Sequence, residues 1–139
     1  MASAIKFETF SEHLAEKVHN LDTDTIKIAL SNTAPNAATN TVFANITEIS
    51  AGNGYTAGGA DTQNATSRTG GTTTVTAVDV VFTASGSVGP FRYVVAYNDT
   101  PTSPADPLIE YWDYGSSITL ASGETFTADF GASGLMTIA

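Results

Sequence analysis

The sequence contains no cysteine, very few basic residues and no long apolar run. Without cysteine, neither disulfides nor a thiolate metal site can hold the fold together, and the redox compartment cannot be inferred from the sequence. A chain of 139 residues is nevertheless long enough to bury a core of its own. We therefore expect a single domain, residues 1–139, that folds without covalent or metal cross-links.

The basic residues are scarce and scattered, and they comprise Lys6, Lys17, Lys27, Arg68 and Arg92. Binding to a phosphate backbone requires clustered lysine and arginine. The formal net charge of −9 also argues against nucleic acid as a partner. An acidic surface of this kind favours solubility and discourages unspecific self-association.

No stretch approaches the roughly 18 consecutive apolar residues of a membrane span. The opening MASAIKFETF lacks the apolar core of a signal peptide. We therefore expect a protein that is made in a cytoplasm and has no membrane partner. Threonine, serine, asparagine, glycine and alanine are abundant, a composition typical of extracellular or virion β-domains.

One helix is predicted near the N-terminus, over about residues 7–19. Apolar residues recur every three or four positions there, and they are Phe7, Phe10, Leu14, Val18 and Leu21. This spacing gives a single apolar stripe. Asn20 is a residue type that can adopt the left-handed conformation that closes a helix.

From about residue 25 to residue 138 the apolar period changes to two, which indicates strands. Alternation predicts that Ile26, Ile28 and Leu30 share one face, as do Val78, Val80 and Phe82, and likewise Phe91, Tyr93, Val95 and Tyr97. The polar, glycine-rich connection 50–71 is unusually long for a compact domain, and part of it could pair as an edge hairpin. We predict a mainly β protein, an antiparallel sandwich or jelly-roll-like fold of seven or eight short strands with one N-terminal helix.

The acidic pair Asp22 and Asp24 could offer carboxylates to calcium, but the remaining ligands of an EF-hand loop are absent. A solvated helix-to-strand turn, with Asp22 accepting backbone N–H bonds, is the favoured interpretation. His13 and His19 are six residues apart, which does not match the i, i+4 spacing of two ligands to one metal. We expect His13 on the exposed face and His19 to fix the following turn, and we expect no metal or other cofactor.

The glycine-rich stretch GNGYTAGG, residues 52–59, lacks the lysine and the strand–helix context of a phosphate-binding loop. We interpret it as a loop that Tyr55 pins to the protein body or to a neighbour. No G-x-S-x-G motif is present, and Glu110, Asp113, Glu124 and Asp129 are a set of carboxylates that any acidic β-protein offers. We expect that the protein is not an enzyme.

The most aromatic stretch is EYWDYG, residues 110–115. Alternation places Tyr111 opposite to Trp112 and Tyr114, so at most two of the rings share a platform. Core packing is the favoured role of Trp112, followed by an interface. A stacking platform for sugar rings is the third possibility.

Several segments resemble a widespread group of small virion proteins of tailed bacteriophages. The resemblance begins at HNLDTDTIKIALSNTAPNAATNTVFANITEISAGNGYTAGG, and it continues in GPFRYVVAYND, in WDYGSSITLASGETFTADFG and in the closing TIA. It therefore covers nearly the whole chain. These motifs are fold motifs rather than catalytic ones, and they imply a structural component of a virion.

The resemblance implies a decoration, or cement, protein on the outside of the capsid, with the major capsid protein as its partner. Many equivalent lattice sites suit a homo-oligomer, a trimer or dimer, that multiplies weak contacts. The segments 1–6, 50–71 and 99–107 have no intramolecular role evident from pattern and are the predicted contact elements. The predicted interface residues are Ile5, Phe7, Tyr55, Arg68, Trp112 and Tyr114.

Three alternatives stay open at this point. The protein could be a tail, collar or head-fibre component of the same virion. It could be a carbohydrate-binding β-sandwich module that uses Trp112 and Tyr114. It could be a small hydrolase with paired carboxylates, for which loss of activity on changing Glu110 or Asp113 would be required.

Overall fold

Antiparallel strands dominate the computed structural model, which describes residues 3–139. The strands are β1 Ile5–Lys6, β2 Ile26–Ser31, β3 Ala60–Asp61, β4 Ala65–Thr69, β5 Thr72–Thr76, β6 Val80–Thr83, β7 Val88–Asn98, β8 Leu108–Leu120, β9 Thr125–Ala128 and β10 Met136–Ile138. One α-helix, α1 Thr9–Ala15, and one 3₁₀ helix, Phe43–Asn45, complete the regular elements of the described residues. The predicted all-β, sandwich-like fold with one N-terminal helix is confirmed.

The strands form one large and two small sheets. The large sheet has the order β1-β8-β7-β2-β3, a second sheet has the order β10-β5-β4, and β6 pairs with β9. The prediction of seven or eight short strands is too low, because ten strands are present in the described residues. It also missed that β7 and β8 are long, with 11 and 13 residues.

The main core lies where side chains from all three sheets meet. Ile28 of β2, Val75 of β5, Phe82 of β6, Val94 of β7 and Phe126 of β9 are all buried in it. A smaller cluster, with Phe7, Ala29, Val95, Tyr97 and Leu108, lies on the other face of the large sheet. The large sheet is therefore covered on both faces.

Coverage on both faces explains why β2 is more buried than predicted. Ile26, Ile28 and Leu30 share a face as expected, but Ala29 on the opposite face is buried as well. The segment TVFANITEIS contributes to this second layer as a 3₁₀ helix and an isolated bridge from Ser31 to Glu48. Phe43 stacks on Tyr97 with ring centroids 4.1 Å apart.

Irregular pairing between β7 and β8 changes which residues share a face. Phe91 packs in the main core, whereas Val95 and Tyr97 pack in the smaller cluster. The prediction that Phe91 shares one face with Tyr93, Val95 and Tyr97 is therefore wrong at Phe91. The pairing register shifts between Phe91 and Tyr93, and such an irregularity interrupts the alternation on which the prediction depended.

Helix α1 is shorter than the predicted 7–19 and ends differently. Lys17 has a φ of 65°, and the backbone N–H groups of Lys17 and Val18 donate to the carbonyls of Leu14 and His13. This is the Schellman arrangement, formed here without glycine. The left-handed residue is Lys17 and not the predicted Asn20, whose side chain instead accepts the N–H groups of Asp22 and Thr23.

The connection 50–71 is not a structureless loop, because part of it forms paired strands. Its end forms the β4–β5 hairpin around Gly70 and Gly71, so the predicted edge hairpin is confirmed.

Val78, in contrast, is 54% exposed and does not share the buried face of Val80 and Phe82. Residue 78 lies before β6 begins, so the alternation of that strand does not apply to it.

Candidate functional site

The outer edge of β8 is an edge of the large sheet that another strand covers only in part. Strand β1 covers it only at two positions, with Ile5 opposite Tyr111 and Lys6 opposite Glu110. Beyond Tyr111, no strand of residues 3–139 pairs with this edge. Ile5 is 42% exposed and Tyr114 is 53% exposed. We call the β1–β8 edge, with Ile5 and Tyr114, the open edge.

Three of the six predicted interface residues are buried inside the chain itself. Phe7 packs in the smaller cluster, and Tyr55 and Trp112 pack in the main core. For these three residues the surface role is corrected to a core role, because each is at most 5% exposed. Arg68 is exposed on β4 and donates to the carbonyl of Gly70 within the hairpin. The segment 1–6 is described only from residue 3 onward, so its first two residues lie outside the described part.

Trp112 and Tyr114 do not form a shared aromatic platform. Trp112 packs against Phe130, with ring centroids 5.8 Å apart, and is 5% exposed. Tyr114 lies at the surface, where the edge of its ring faces Phe126 at 5.8 Å. The favoured prediction of a core role for Trp112 is confirmed, and a sugar would find only one of the two rings exposed.

The four carboxylates considered for hydrolysis have separate local partners. Asp113 forms a bidentate ion pair with Arg92, at 2.8 and 3.1 Å. Glu124 accepts the N–H of Ala121 and Asp129 accepts the N–H of Gly131, which are local turn contacts. Glu110 has no such contact and is described below.

The Asp113–Arg92 pair lies on a half-buried surface of the large sheet. Hydrogen bonds from Arg92 and from the N–H of Gly115 hold the pKa of the Asp113 carboxyl below its usual range. The same carboxylate raises the pKa of Arg92. Exposed pairs of this kind contribute little to stability.

A buried polar cluster joins the helix end to β7. The side-chain amide nitrogen of Asn98 donates to Asp24 Oδ2 at 2.8 Å and to Nδ1 of His19 at 3.0 Å. The proton of the neutral imidazole therefore lies on Nε2, which is buried without a partner among the described residues. Burial, followed by the nearby His13, lowers the pKa of His19 to about 4. His19 thus fixes the turn as predicted, but through a side chain of β7.

The acidic turn serves the architecture. Asp22 accepts the backbone N–H and the hydroxyl of Thr66 on β4, at 3.1 and 2.9 Å, and Asp24 accepts the N–H of Asn20. The predicted backbone bond to Asp22 is confirmed, although its donor is a distant strand. His13 is half-buried rather than exposed, and its ring lies 6.1 Å from that of His19.

Tyr55 pins the glycine-rich loop to the protein body. Its hydroxyl donates to Glu48 Oε2 at 2.6 Å and accepts the N–H of Leu30 at 3.0 Å. Glu48 also accepts the N–H of Gly58 at 2.6 Å. At Gly59, φ is +81° and a Cβ would lie 1.8 Å from the carbonyl oxygen of Ile28. The loop therefore approaches β2 too closely for any side chain at that position.

Replacing Tyr55 with phenylalanine is expected to lower the free energy of unfolding by about 2 kcal/mol, because the buried N–H of Leu30 loses its partner. Chemical denaturation of both proteins measures the difference. Tyr114→Phe removes a hydroxyl for which no hydrogen bond is seen in the described structure, and it should change the stability by less than about 0.5 kcal/mol. Equal losses in the two variants would contradict the pinning role of Tyr55.

The sequence singled out Glu110 only as one of four carboxylates considered for hydrolysis, whereas the structure shows a buried carboxyl group without a partner. Its side chain is 4% exposed, and Oε1 has no hydrogen-bond partner among the described residues. Burial raises the pKa of this carboxyl to about 8. The position of Glu110 in an aromatic strand was a weak indication that its side chain would be buried. No neighbouring residue indicated that its carboxyl would lack a hydrogen-bond partner.

Residues 3–139 contain no group of three or more histidine, cysteine, aspartate or glutamate side chains that could hold a metal ion. In the same residues no helix has the length and apolarity needed to cross a membrane.

Comparison of the chain with family models, with curated proteins and with solved structures finds no match.

Proposed function

We propose that the protein is a non-enzymatic structural component of a tailed-phage virion, namely a decoration protein that binds the outside of the head lattice and stabilises it. Its place would then be the capsid surface, after synthesis in the host cytoplasm, and its partner the major capsid protein. The sequence resemblance motivates this role. The open edge is the single structural observation that supports it.

The open edge has the features of a surface that receives another chain. Strand β8 is 13 residues long, yet its outer partner β1 has only two residues. Unpaired N–H and C=O groups along a strand can accept an added strand from a neighbour. Ile5 and Tyr114, both exposed there, supply apolar contact area beside those backbone groups.

The surface charge suits a protein that is stable alone and binds only at specific sites. The formal net charge of −9 opposes unspecific association between copies. Attachment would then depend on complementary geometry, and a trimer or dimer would multiply weak contacts across a symmetric lattice.

The first test combines the molar mass in solution with binding to capsids that lack the protein. We expect light scattering to give a dimer or trimer that sediments with the capsids in stoichiometric amounts and raises their melting temperature. A monomer that leaves the capsids in the supernatant would contradict the decoration role. Binding to purified tails or collars under the same conditions would instead support one of the other virion positions.

Charged substitutions at the open edge test whether that surface makes the contact. Ile5→Asp and Tyr114→Asp are each expected to weaken capsid binding by roughly tenfold or more, because a desolvated charge would face the lattice. Val78→Asp is the matched control, since Val78 is equally exposed but lies before β6, away from this edge. Unchanged binding by both edge variants, with each still folded by circular dichroism, would exclude the open edge.

A further inference from the structure

A cavity of about 350 Å³ lies between α1, β1, β8 and β10. Apolar side chains from the helix and from β10 form most of its wall, and they are Phe10, Leu14, Met136 and Ile138. Its volume lies within the range of small-molecule sites. Glu110 also lines the cavity.

The position of Glu110 follows from an irregularity in the pairing of β7 and β8. Ala96 pairs with Glu110, whereas Tyr97 pairs with Leu108, so one extra residue of β8 is accommodated there. The extra residue lets Ile109, which packs in the main core, and Glu110 occupy the same side of the sheet. A bulge re-aims a side chain in this way, and here it places Glu110 at the wall of an apolar cavity.

No cation among residues 3–139 forms an ion pair with this carboxylate. In the described residues, the ion pairs join Lys27 to Asp99 and Arg92 to Asp113. Lys6 is the other charged residue that lines the cavity, but it is exposed and forms no ion pair with Glu110. A buried carboxylate without a partner is costly, and burial accordingly raises the pKa of Glu110. Such a group is a site for an external cation.

We infer that the cavity binds a primary alkylammonium group, with the ammonium on the Glu110 carboxylate and the carbon chain against Phe10, Leu14 and Met136. This inference does not depend on the proposed virion role. An ammonium at the end of a short alkyl chain combines a compact point charge with an apolar stem, and the cavity combines one buried acceptor with apolar walls.

The geometry favours an ammonium over a guanidinium. A guanidinium is bound best by a bidentate carboxylate that presents both oxygens to its planar fork. Glu110 Oε1 is buried without a partner, so the carboxylate cannot offer both oxygens to such a fork and suits a single charged donor at its other oxygen. Ser11 and Thr137 also line the cavity, and their hydroxyl groups are possible hydrogen-bond acceptors for a ligand there.

Binding should depend on pH because the bound cation requires the ionised carboxylate. Glu110 and Lys6 are the charged groups that line the cavity, and Glu110 titrates near pH 8. Below that pH the ligand must displace a proton, so affinity should rise by up to tenfold per pH unit from about pH 6 to about pH 8. Lysine-type amines remain charged over this range.

The test uses n-butylammonium chloride as the probe and titrates it into the full chain by NMR chemical-shift mapping. We expect shifts at residues of α1 and β10, with saturation at lower probe concentration as the pH rises. Glu110→Gln should weaken binding by roughly tenfold or more, because it keeps the shape and removes the charge. Glu12→Gln on the exposed side of α1 removes the same formal charge and should leave binding unchanged.

Two results would overturn the inference. One is the absence of saturable shifts around the cavity at about pH 8, and the other is an equal loss of binding in both variants, which would indicate unspecific attraction to an acidic protein. A second titration with Nα-acetyl-lysine amide identifies the source of the group. Saturation by both probes shows that the site admits the lysine side chain of a protein partner, and saturation by butylammonium alone restricts it to a small free amine.

Discussion

Replacing Trp112 with alanine is expected to lower the free energy of unfolding by about 4 kcal/mol. The indole is 5% exposed and packs in the main core against Phe130. Truncation of a large buried aromatic residue removes its burial from water and leaves a cavity, and such changes cost about 3–5 kcal/mol. Denaturant unfolding followed by circular dichroism measures the loss without relying on the deleted fluorophore.

Tyr114→Ala is the matched control for Trp112→Ala. Tyr114 lies two residues further along the same strand and is 53% exposed, so its truncation should cost less than about 1 kcal/mol. Its removal should instead weaken the contacts of the open edge. Similar stability losses in the two variants would show that the two rings are not divided between core and surface as described.

Near pH 4, Glu110→Gln is expected to have the same free energy of unfolding as the wild type. As the pH rises, the variant should become progressively more stable than the wild type. The folded protein holds the Glu110 proton up to about pH 8, whereas the ordinary pKa is 4.5. Since the folded state binds more protons within this window, the wild-type protein loses stability as the pH rises through it. The variant lacks this loss. Its advantage above pH 8 should reach several kcal/mol, with an upper bound of about 5 kcal/mol.

The titration of His19 changes the free energy of unfolding in the opposite direction, over a lower pH range. Its pKa falls from 6.5 to about 4 on folding, so the unfolded chain takes up the proton first as the pH decreases. Stability from the neutral, buried ring is therefore present above about pH 6.5 and is lost as the pH falls toward 4. The contributions of His19 and Glu110 should nearly cancel between these limits, and the wild-type protein should lose stability above about pH 6.5.

Unfolding curves at a series of pH values from about 4 to 9 test both groups. The Glu110→Gln profile should remain flat where that of the wild type declines. Parallel profiles for the two proteins would mean that Glu110 is not buried as an unpaired carboxyl in solution. In that case the alkylammonium site would also lose its structural basis.

Local pattern was sufficient for the elements whose partners are close in sequence. The length and glycine content of the connection 50–71 indicated that part of it could pair, and the β4–β5 hairpin turns there at Gly70 and Gly71, because a hairpin turn depends mainly on local backbone conformation. The inward face of β2 follows equally from alternation. The end of α1 at Lys17 did not follow, since a lysine with positive φ carries no recognisable termination signal.

The sequence by itself determined the mainly β class, the single N-terminal helix and the acidic net charge, and it left Trp112 divided between a core role and an interface role. Only the tertiary structure decided the rest. The second apolar layer buries Phe7 and Ala29 on the far face of the large sheet, and the loop contacts bury Tyr55. The register shifts in β7 and β8 moved Phe91 to one face and directed Glu110 into a cavity. These features depend on how two long strands are paired across the sheet, and a change of one residue in that pairing reverses which side chains are buried.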